Sequence, residues 1–551
     1  MGKDGKKILI CSNIYPPHFV GGAELIAHNQ AKALAGLGHD VTVFAGDPEL
    51  YGNRYDIKKD EYEGITVYRI KLVQEDYQPE FVNFSHQEVE KCFKNIIDAF
   101  TPEVVHFHNV IGLSVGLISI AKNRGIKTVV TLHDYWGFCY KNTSIKQNGE
   151  ICRGTDKCGQ CMSAISSEQG NIPMRMRKDF FDIQMDAVDN FISPSQYLAN
   201  AYTNAGFPAD KLKVLWNGID VQRFSSIHRR DRGDKIRFTY IGYFGAHKGI
   251  STLLDALSLL DCKENIRINL VGTGDQIDNY QHQLKANQCK HLVKFWGKIP
   301  NNQIEKVYAE TDVLVLPSIW PENQPVSITE AMAARIPVIA SRMGGNIELV
   351  EDGNTGYLFD AGDAGQLAQK MRAFFADPAK LKELGENAYN RIANKSFSNQ
   401  VEKIIEIYDN VPTVNKKSRA GDNALIVCIG DKCNNIMNMV LSGDMNQKYE
   451  FVMGRWLEND QLGFAKLAWV VDNGAKPESI LFALKNKIPL LVPEDNIELK
   501  KLCSYANCGL YYQNEYELVK CIDFLFKNSA VASKIGYNGY KFWLEDQSQH
   551  A

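Results

Sequence analysis

One repeating pattern limits what this chain can fold into. A short β-rich apolar run is followed by a glycine or polar turn and then by an amphipathic stretch. The runs are KILICS (7–12), DVTVFAG (40–46), EVVHFHN (103–109), KTVVTLH (127–133) and NFISPS (190–195). Runs that are apolar throughout suit parallel strands covered on both faces. Strands alternating with helices are βαβ units. After KVLWNGID (213–220) the pattern starts again, with RFTYIGY (237–243), RINLVGTG (267–274), VKFWGK (293–298), DVLVLPS (312–318), IPVIAS (336–341) and TGYLFD (355–360). The reading is an α/β chain with two Rossmann-like doubly wound domains, 1–200 and 201–411. A long helical stretch, 361–411, closes the second, and its final helix (395–411) is expected to pack back on the first.

A polar segment, PTVNKKSRAGDN (412–423), has no periodicity and reads as a linker centred on 412–421. Beyond it runs a third, smaller α/β series (422–551): ALIVCIG, YEFVMG, LAWVVD, IPLLVP and GLYY. With an offset of 152, SITEAMAARIPVIA (327–340) pairs with SILFALKNKIPLLV (479–492), and 5 of 14 positions are identical. Asn346-Ile347-Glu348-Leu349 is echoed by Asn496-Ile497-Glu498-Leu499. The run of matches in one order favours a partial duplication over chance likeness between αβα units.

Composition narrows the class. The 551 residues suffice for three to four domains at about 150 residues each. With 44% hydrophobic and 23% charged residues, disordered and fibrous classes are excluded. A net charge of −3 gives no global basic field for nucleic acid. No apolar h-region follows the first basic residues, and no apolar run approaches 18 residues. The expected location is cytoplasmic, with the inner face of a membrane as a place of contact. Thirteen cysteines, an odd number, then argue against a disulfide framework.

Four constellations sit at expected strand ends, where ligands gather in such sheets. In YPPHFVGGAE (15–24), Gly21 and Gly22 allow close backbone approach and precede a helix whose N–H groups suit an anion. The spaced third glycine of a dinucleotide fingerprint is missing. In WPENQPVSITEAMAARIPVIAS (320–341), Glu322 lies in a loop and Glu330 in the helix it feeds. These carboxylates suit a polyhydroxyl ligand; the alternative is two solvated cap residues. In YIGYFGAHKG (240–249), Lys248 at a βα turn suits a phosphate; the alternative is a surface lysine. His133-Asp134 follow KTVVTL, with His108 at a second strand end.

Together these pieces resemble glycosyltransferase family 4, the retaining GT-B enzymes that use nucleotide-sugar donors. The resemblance spans 7–411 and is carried by PPHFVGGAE, LAGLGHDVTV, VVTLHD, WNGID, GYFGAHKG, VGTGD, FWGKIP and PENQPVSITEAMAARIPVIASRMGG. It implies that Glu322 holds donor-sugar hydroxyls and Glu330 the ribose. Lys248 neutralises the diphosphate, Gly22 gives it a backbone N–H, and His133 lies near the anomeric centre. Gly21, Gly242, Tyr243, Gly272, Lys298, Ile299, Asn323, Gln324, Val326 and Ser327 complete the expected donor site, with His108 and Asp134 on the acceptor side. The family needs no catalytic metal or other cofactor. Two departures stand out. Tyr243 replaces an arginine common in Gly-Arg-Leu, and Pro325 removes one backbone donor from the glutamate loop.

The implied partners are a nucleotide-diphospho-sugar, UDP- or GDP-linked, and a saccharide or lipid-linked saccharide hydroxyl, in cell-surface polysaccharide or glycolipid synthesis. The rivals are another GT-B sugar-nucleotide enzyme, such as an epimerase or disaccharide synthase, and a silent scaffold. Three further expectations concern the rest of the chain. Cys139, Cys152, Cys158 and Cys161, spaced C-x12-C-x5-C-x2-C, suit a structural zinc; free thiols or disulfides are the alternatives. MRMRKDFFDI (174–183) suits an anionic membrane surface, or else is a surface helix with buried phenylalanines. In the tail, Glu322 aligns with Gly474 and Glu330 with Phe482, so 422–551 is expected to be non-catalytic and to serve packing or oligomerisation.

Overall fold

The computed structural model describes residues 5–18, 21–146, 150–152, 158–167, 170–230, 233–260, 265–411, 425–429, 450–453, 465–471 and 475–549. The chain divides into two compact units, Met1–Ile172 with Gln184–Val414, and Pro173–Ile183 with Asn415–Ala551.

The first unit holds two large sheets. The N-terminal sheet is built from β1 (Lys7–Ser12), β2 (Asp40–Asp47), β3 (Ile57–Tyr62), β4 (Ile65–Lys71), β5 (Val104–Phe107) and β6 (Lys127–Thr131), then β9 (Asn190–Ser193) and β10 (Leu212–Val214). Between the last two pairs lies a separate two-stranded sheet of β7 (Ala164–Ser167) and β8 (Gly170–Pro173). The eight strands run in the order β10-β9-β6-β5-β1-β2-β4-β3, and β3 alone is antiparallel to its neighbour. Ile8, Ile10, Val43 and Val129 are fully buried, as continuous apolar runs require. The β3–β4 hairpin lies outside the runs recognised in the sequence. Its edge strand IKKDEY is exposed and polar, so it carries no apolar signal.

The second sheet contains β11 (Ile236–Ile241), β12 (Ile266–Val271), β13 (Val293–Gly297), β14 (Val313–Leu316), β15 (Val338–Ser341) and β16 (Gly356–Phe359), in the order β13-β12-β11-β14-β15-β16. The 361–411 stretch forms three helices, Ala364–Ala376, Lys380–Ile392 and Phe397–Asp409. The last lies on the N-terminal sheet. Val401, Ile404 and Tyr408 join its core, Tyr408 Oη is 2.7 Å from His106 Nδ1, and Lys127 Nζ donates to the Tyr408 carbonyl at 2.9 Å.

Among its described residues the C-terminal unit has five parallel strands, β17 (Leu425–Ile429), β18 (Glu450–Met453), β19 (Leu467–Val470), β20 (Leu490–Pro493) and β21 (Gly509–Tyr512), ordered β18-β17-β19-β20-β21. That is the order of the second sheet without β13. The likeness extends to detail. Arg335 and Lys487, 152 apart, both take a left-handed conformation, φ 56° and 58°. A Cβ on Gly385 would meet the Arg335 carbonyl oxygen at 2.2 Å, and one on Gly536 would meet that of Lys487 at 1.9 Å. In each case a helix packs without a side chain onto the turn before an Ile-Pro strand.

The helix Met174–Asp186 carries the MRMRKDFF segment. Phe180 and Phe181 are buried, and Phe180 lies 6.4 Å from Phe524. The two phenylalanines are therefore packed against protein, as in the alternative of a helix with buried phenylalanines. Among the described residues, no helix is long and apolar enough to cross one.

Candidate active site

The site residues converge because parallel strands end on one side of their sheets. β11, β12 and β14 release Gly242, Gly272 and the loop 317–325 at their carboxyl ends; β5 and β6 release His108 and His133. Gly242 and Gly272 touch so closely that a Cβ on Gly272 would sit 1.9 Å from the Gly242 carbonyl oxygen. That contact needs a glycine, and Gly272, at φ +136°, lies in the region glycine favours.

Glu322 and Lys248 meet. Lys248 Nζ lies 2.7 Å from Glu322 Oε1, and Ser318 Oγ donates to the same oxygen at 2.6 Å. The pair is partly shielded, with side chains 22% and 13% exposed. Gly345 N donates to the Glu322 carbonyl, and a Cβ on Gly345 would meet the Asn323 carbonyl oxygen at 1.9 Å. Gly344 and Gly345 thus form the floor on which the glutamate loop lies. The sequence reading gave these glycines no role, because their contacts join separate loops.

Glu330 is buried at 7% exposure in the helix Val326–Ala333. Tyr308 Oη donates to its Oε2 at 2.6 Å, and burial pushes its carboxyl up to about 7. One carboxyl oxygen is thereby engaged by the phenol. Pro325 is the N-cap of this helix, and Gln324 turns its Oε1 away to accept from Asn217 N at 2.7 Å. Ser327 lies in the first turn of the same helix.

The two sheets of the first unit meet at this loop. Asn323 Nδ2 donates to the His133 carbonyl at 3.0 Å. Gly22, the first residue of helix Gly22–Gly36, comes so near that a Cβ there would lie 2.9 Å from Val326 Cγ2. Gly21 N donates to Glu24 Oε2 at 2.9 Å, so that N–H is already occupied.

His133 is partly exposed, and burial of its ring lowers its pKa to about 4. Its Nε2 lies 2.8 Å from His108 Nδ1. His108 is 1% exposed. It is packed against His133 rather than open to solvent. Asp134 accepts from Trp136 N at 2.7 Å, and burial raises its carboxyl to about 7. Tyr243 is 52% exposed, its ring stacks on His247 at 6.4 Å, and it bonds Asp275. Lys298 is exposed, and Ile299 packs on the core of the second sheet.

Cys139, Cys152, Cys158 and Cys161 are each half-buried. Among the described residues, no group of three or more His, Cys, Asp or Glu side chains is arranged to hold a metal ion. Burial, and then the thiols of Cys161, Cys139 and Cys158, push the Tyr140 phenol up to about 12, and its Oη donates to the Cys161 carbonyl at 3.2 Å. Gly474 lies outside the described residues, and Phe482 is half-buried against the tail core.

Two α/β sheets of mostly parallel strands, meeting at the carboxyl strand ends near Lys248, Glu322 and His133, form a GT-B fold. Solved structures share that fold. Sucrose-phosphate synthase from Thermosynechococcus elongatus is 20% identical, with 73% of this chain and 98% of that chain aligned at a TM-score of 0.57. Anabaena HepE in complex with UDP and glucose is 19% identical, with 74% and 100% aligned at 0.53. Residues 20–223 match the Glycosyltransferase Family 4 model, and residues 222–391 match Glycosyl transferases group 1. An uncharacterized glycosyltransferase of Methanocaldococcus jannaschii is 24% identical, with 73% of this chain and 97% of that protein covered. Glycogen synthase of Mycobacterium tuberculosis is also 24% identical, over 70% and 90%. The chain belongs to glycosyltransferase family 4 and is a glycosyltransferase.

Proposed function

We propose that this enzyme is a retaining transferase that moves a hexose from a UDP- or GDP-sugar to a hydroxyl of a saccharide or lipid-linked saccharide. The observation that carries the reading is the Lys248–Glu322–Ser318 cluster at the carboxyl ends of β11 and β14. A cation and a carboxylate at one point suit a ligand that is anionic on one side and polyhydroxylic on the other.

In this reading the bond from C1 to the diphosphate oxygen breaks, and a new bond forms from C1 to the acceptor oxygen. The acceptor proton leaves with the diphosphate. Negative charge grows on the departing phosphate, where Lys248 and the amino end of helix Gly22–Gly36 lie. Donor binding exchanges the Lys248–Glu322 ion pair for two new partnerships, lysine with phosphate and glutamate with sugar hydroxyls. Glu330 takes the ribose on the oxygen that Tyr308 leaves free. Lys248 supplies the phosphate-side charge, so no catalytic metal is invoked. The C-terminal unit keeps the sheet order of the donor domain but has Phe482 where Glu330 stands. We read it as a non-catalytic partial duplicate.

The test is a thermal-shift panel of nucleotide sugars followed by transfer assays. A ligand at one hundred times its Kd stabilises by about 2.7 kcal/mol, so the correct donor stands out. Release of free sugar or epimer without transfer to any hydroxyl acceptor would overturn the reading.

A further inference from the structure

The His108–His133 pair leaves one buried atom unsatisfied. His108 Nδ1 lies 2.8 Å from His133 Nε2, with ring planes 20° apart. The other ring nitrogen of His108, Nε2, is buried and has no hydrogen-bond partner among the described residues. The His106 ring lies 4.7 Å away, tilted by 34°, but its nitrogens are engaged by Tyr408 Oη and Thr131 Oγ1, at 2.7 Å each.

Two neutral imidazoles joined by one hydrogen bond must divide the roles, one nitrogen donating and the other accepting. A proton on His108 Nε2 would be a buried N–H facing no acceptor, and such orphaned donors are rare in folded proteins. The proton therefore belongs on Nδ1, which donates to His133 Nε2. That leaves His133 with its own proton on Nδ1, an atom that makes no hydrogen bond among the described residues. The loop that meets His133 from the other sheet is the glutamate loop, through Asn323 on the His133 carbonyl. Burial disfavours charge on both rings, so the neutral pair persists at physiological pH.

We propose that His108 is a positioning residue that locks His133 in its Nδ1–H tautomer, so that His133 presents a fixed N–H donor to the substrate and cannot serve as a base at that nitrogen. The proposal rests on the reading of His133 as a donor-site residue, but the tautomer itself is measurable without any reaction. The proton on one ring nitrogen is set by what the other ring nitrogen bonds.

The experiment is imidazole nitrogen NMR on the full-length, 15N-histidine-labelled enzyme without ligand, with His133 assigned by its loss in His133→Gln. The expected spectrum has a protonated His133 Nδ1 and a bare Nε2. In His108→Leu the tautomer should relax to Nε2–H, and transfer at saturating donor should fall about tenfold, as for a small misplacement of a catalytic group. His108→Asn puts an amide N–H near the Nδ1 position and should keep both the tautomer and most of the rate. A bare His133 Nδ1 in the wild type overturns the proposal, as does an Asn variant as slow as the Leu variant. A correct tautomer in an enzyme that turns over no nucleotide sugar would refute the donor reading alone.

Discussion

At the scale of single residues, the site depends on groups whose charge is set by burial. Glu330 is the clearest case. With its carboxyl pushed up to about 7, it is neutral below that pH and ionised above it. Its neutral form is the one the fold favours. That contribution is complete below the ordinary carboxylate range, near 4.5, and is lost as pH rises through about 7. Glu330→Gln should leave the melting temperature nearly unchanged near pH 4 and raise it above pH 7. Donor affinity should respond the opposite way. Wild-type binding should strengthen as pH rises through 7, because the ionised carboxylate accepts more hydroxyl bonds, whereas the Gln variant should bind weakly and without that rise. Calorimetric titration with the donor across this range checks both. Glu322→Ala and Lys248→Ala should each lower kcat about a hundredfold or more while the protein stays folded, because Lys248 meets the charge that develops on the phosphate and Glu322 orients the sugar that reacts. Activity equal to wild type in either variant would remove the cluster from the site.

At the scale of elements, glycines decide how closely loops and helices approach. Gly345→Ala places a Cβ 1.9 Å from the Asn323 carbonyl oxygen, so the glutamate loop must shift. The expected result is a folded protein with donor affinity lowered by about tenfold or more, since small displacements of positioning groups are costly; binding isotherms of the two proteins settle it. Gly536→Ala puts the same strain on the C-terminal unit, against the Lys487 carbonyl. It should destabilise that unit by about 1–3 kcal/mol, as overpacking does, and leave transfer by the first unit intact. Legibility also varies by element. Strands with apolar runs, such as KILICS and DVTVFAG, announce themselves because both faces are covered. The β3–β4 hairpin does not, because its edge strand faces solvent and its residues follow no burial rule.

At the scale of the whole molecule, one donor site per chain is expected. The C-terminal unit repeats the strand order of the second sheet without β13, yet Phe482 aligns with Glu330, the residue proposed to hold the ribose. Isothermal titration of the full chain with the preferred nucleotide sugar should give a stoichiometry near one; a value near two would assign binding to the tail. The four-cysteine box shows the limit of spacing as evidence. Its spacing suits zinc, yet among the described residues no group of three or more such side chains is arranged to hold a metal ion, so metal analysis of the purified protein is what decides the expectation.

Much of this protein was determined by sequence alone. Strand runs and turn glycines follow from local rules of periodicity and turn chemistry, which need no tertiary context, whereas Gly21-Gly22, His133, Lys248, Glu322 and Glu330 stand out as a set through the resemblance to the family. What only the tertiary structure decided is partnership. Lys248 pairs with Glu322 across 74 residues. Tyr308 caps Glu330, Gly345 supports Asn323, and His108 packs against His133. Each is set by packing between segments distant in the chain, and burial sets the charge states of Glu330 and of the histidine pair. Spacing along a chain does not encode which buried groups will face one another.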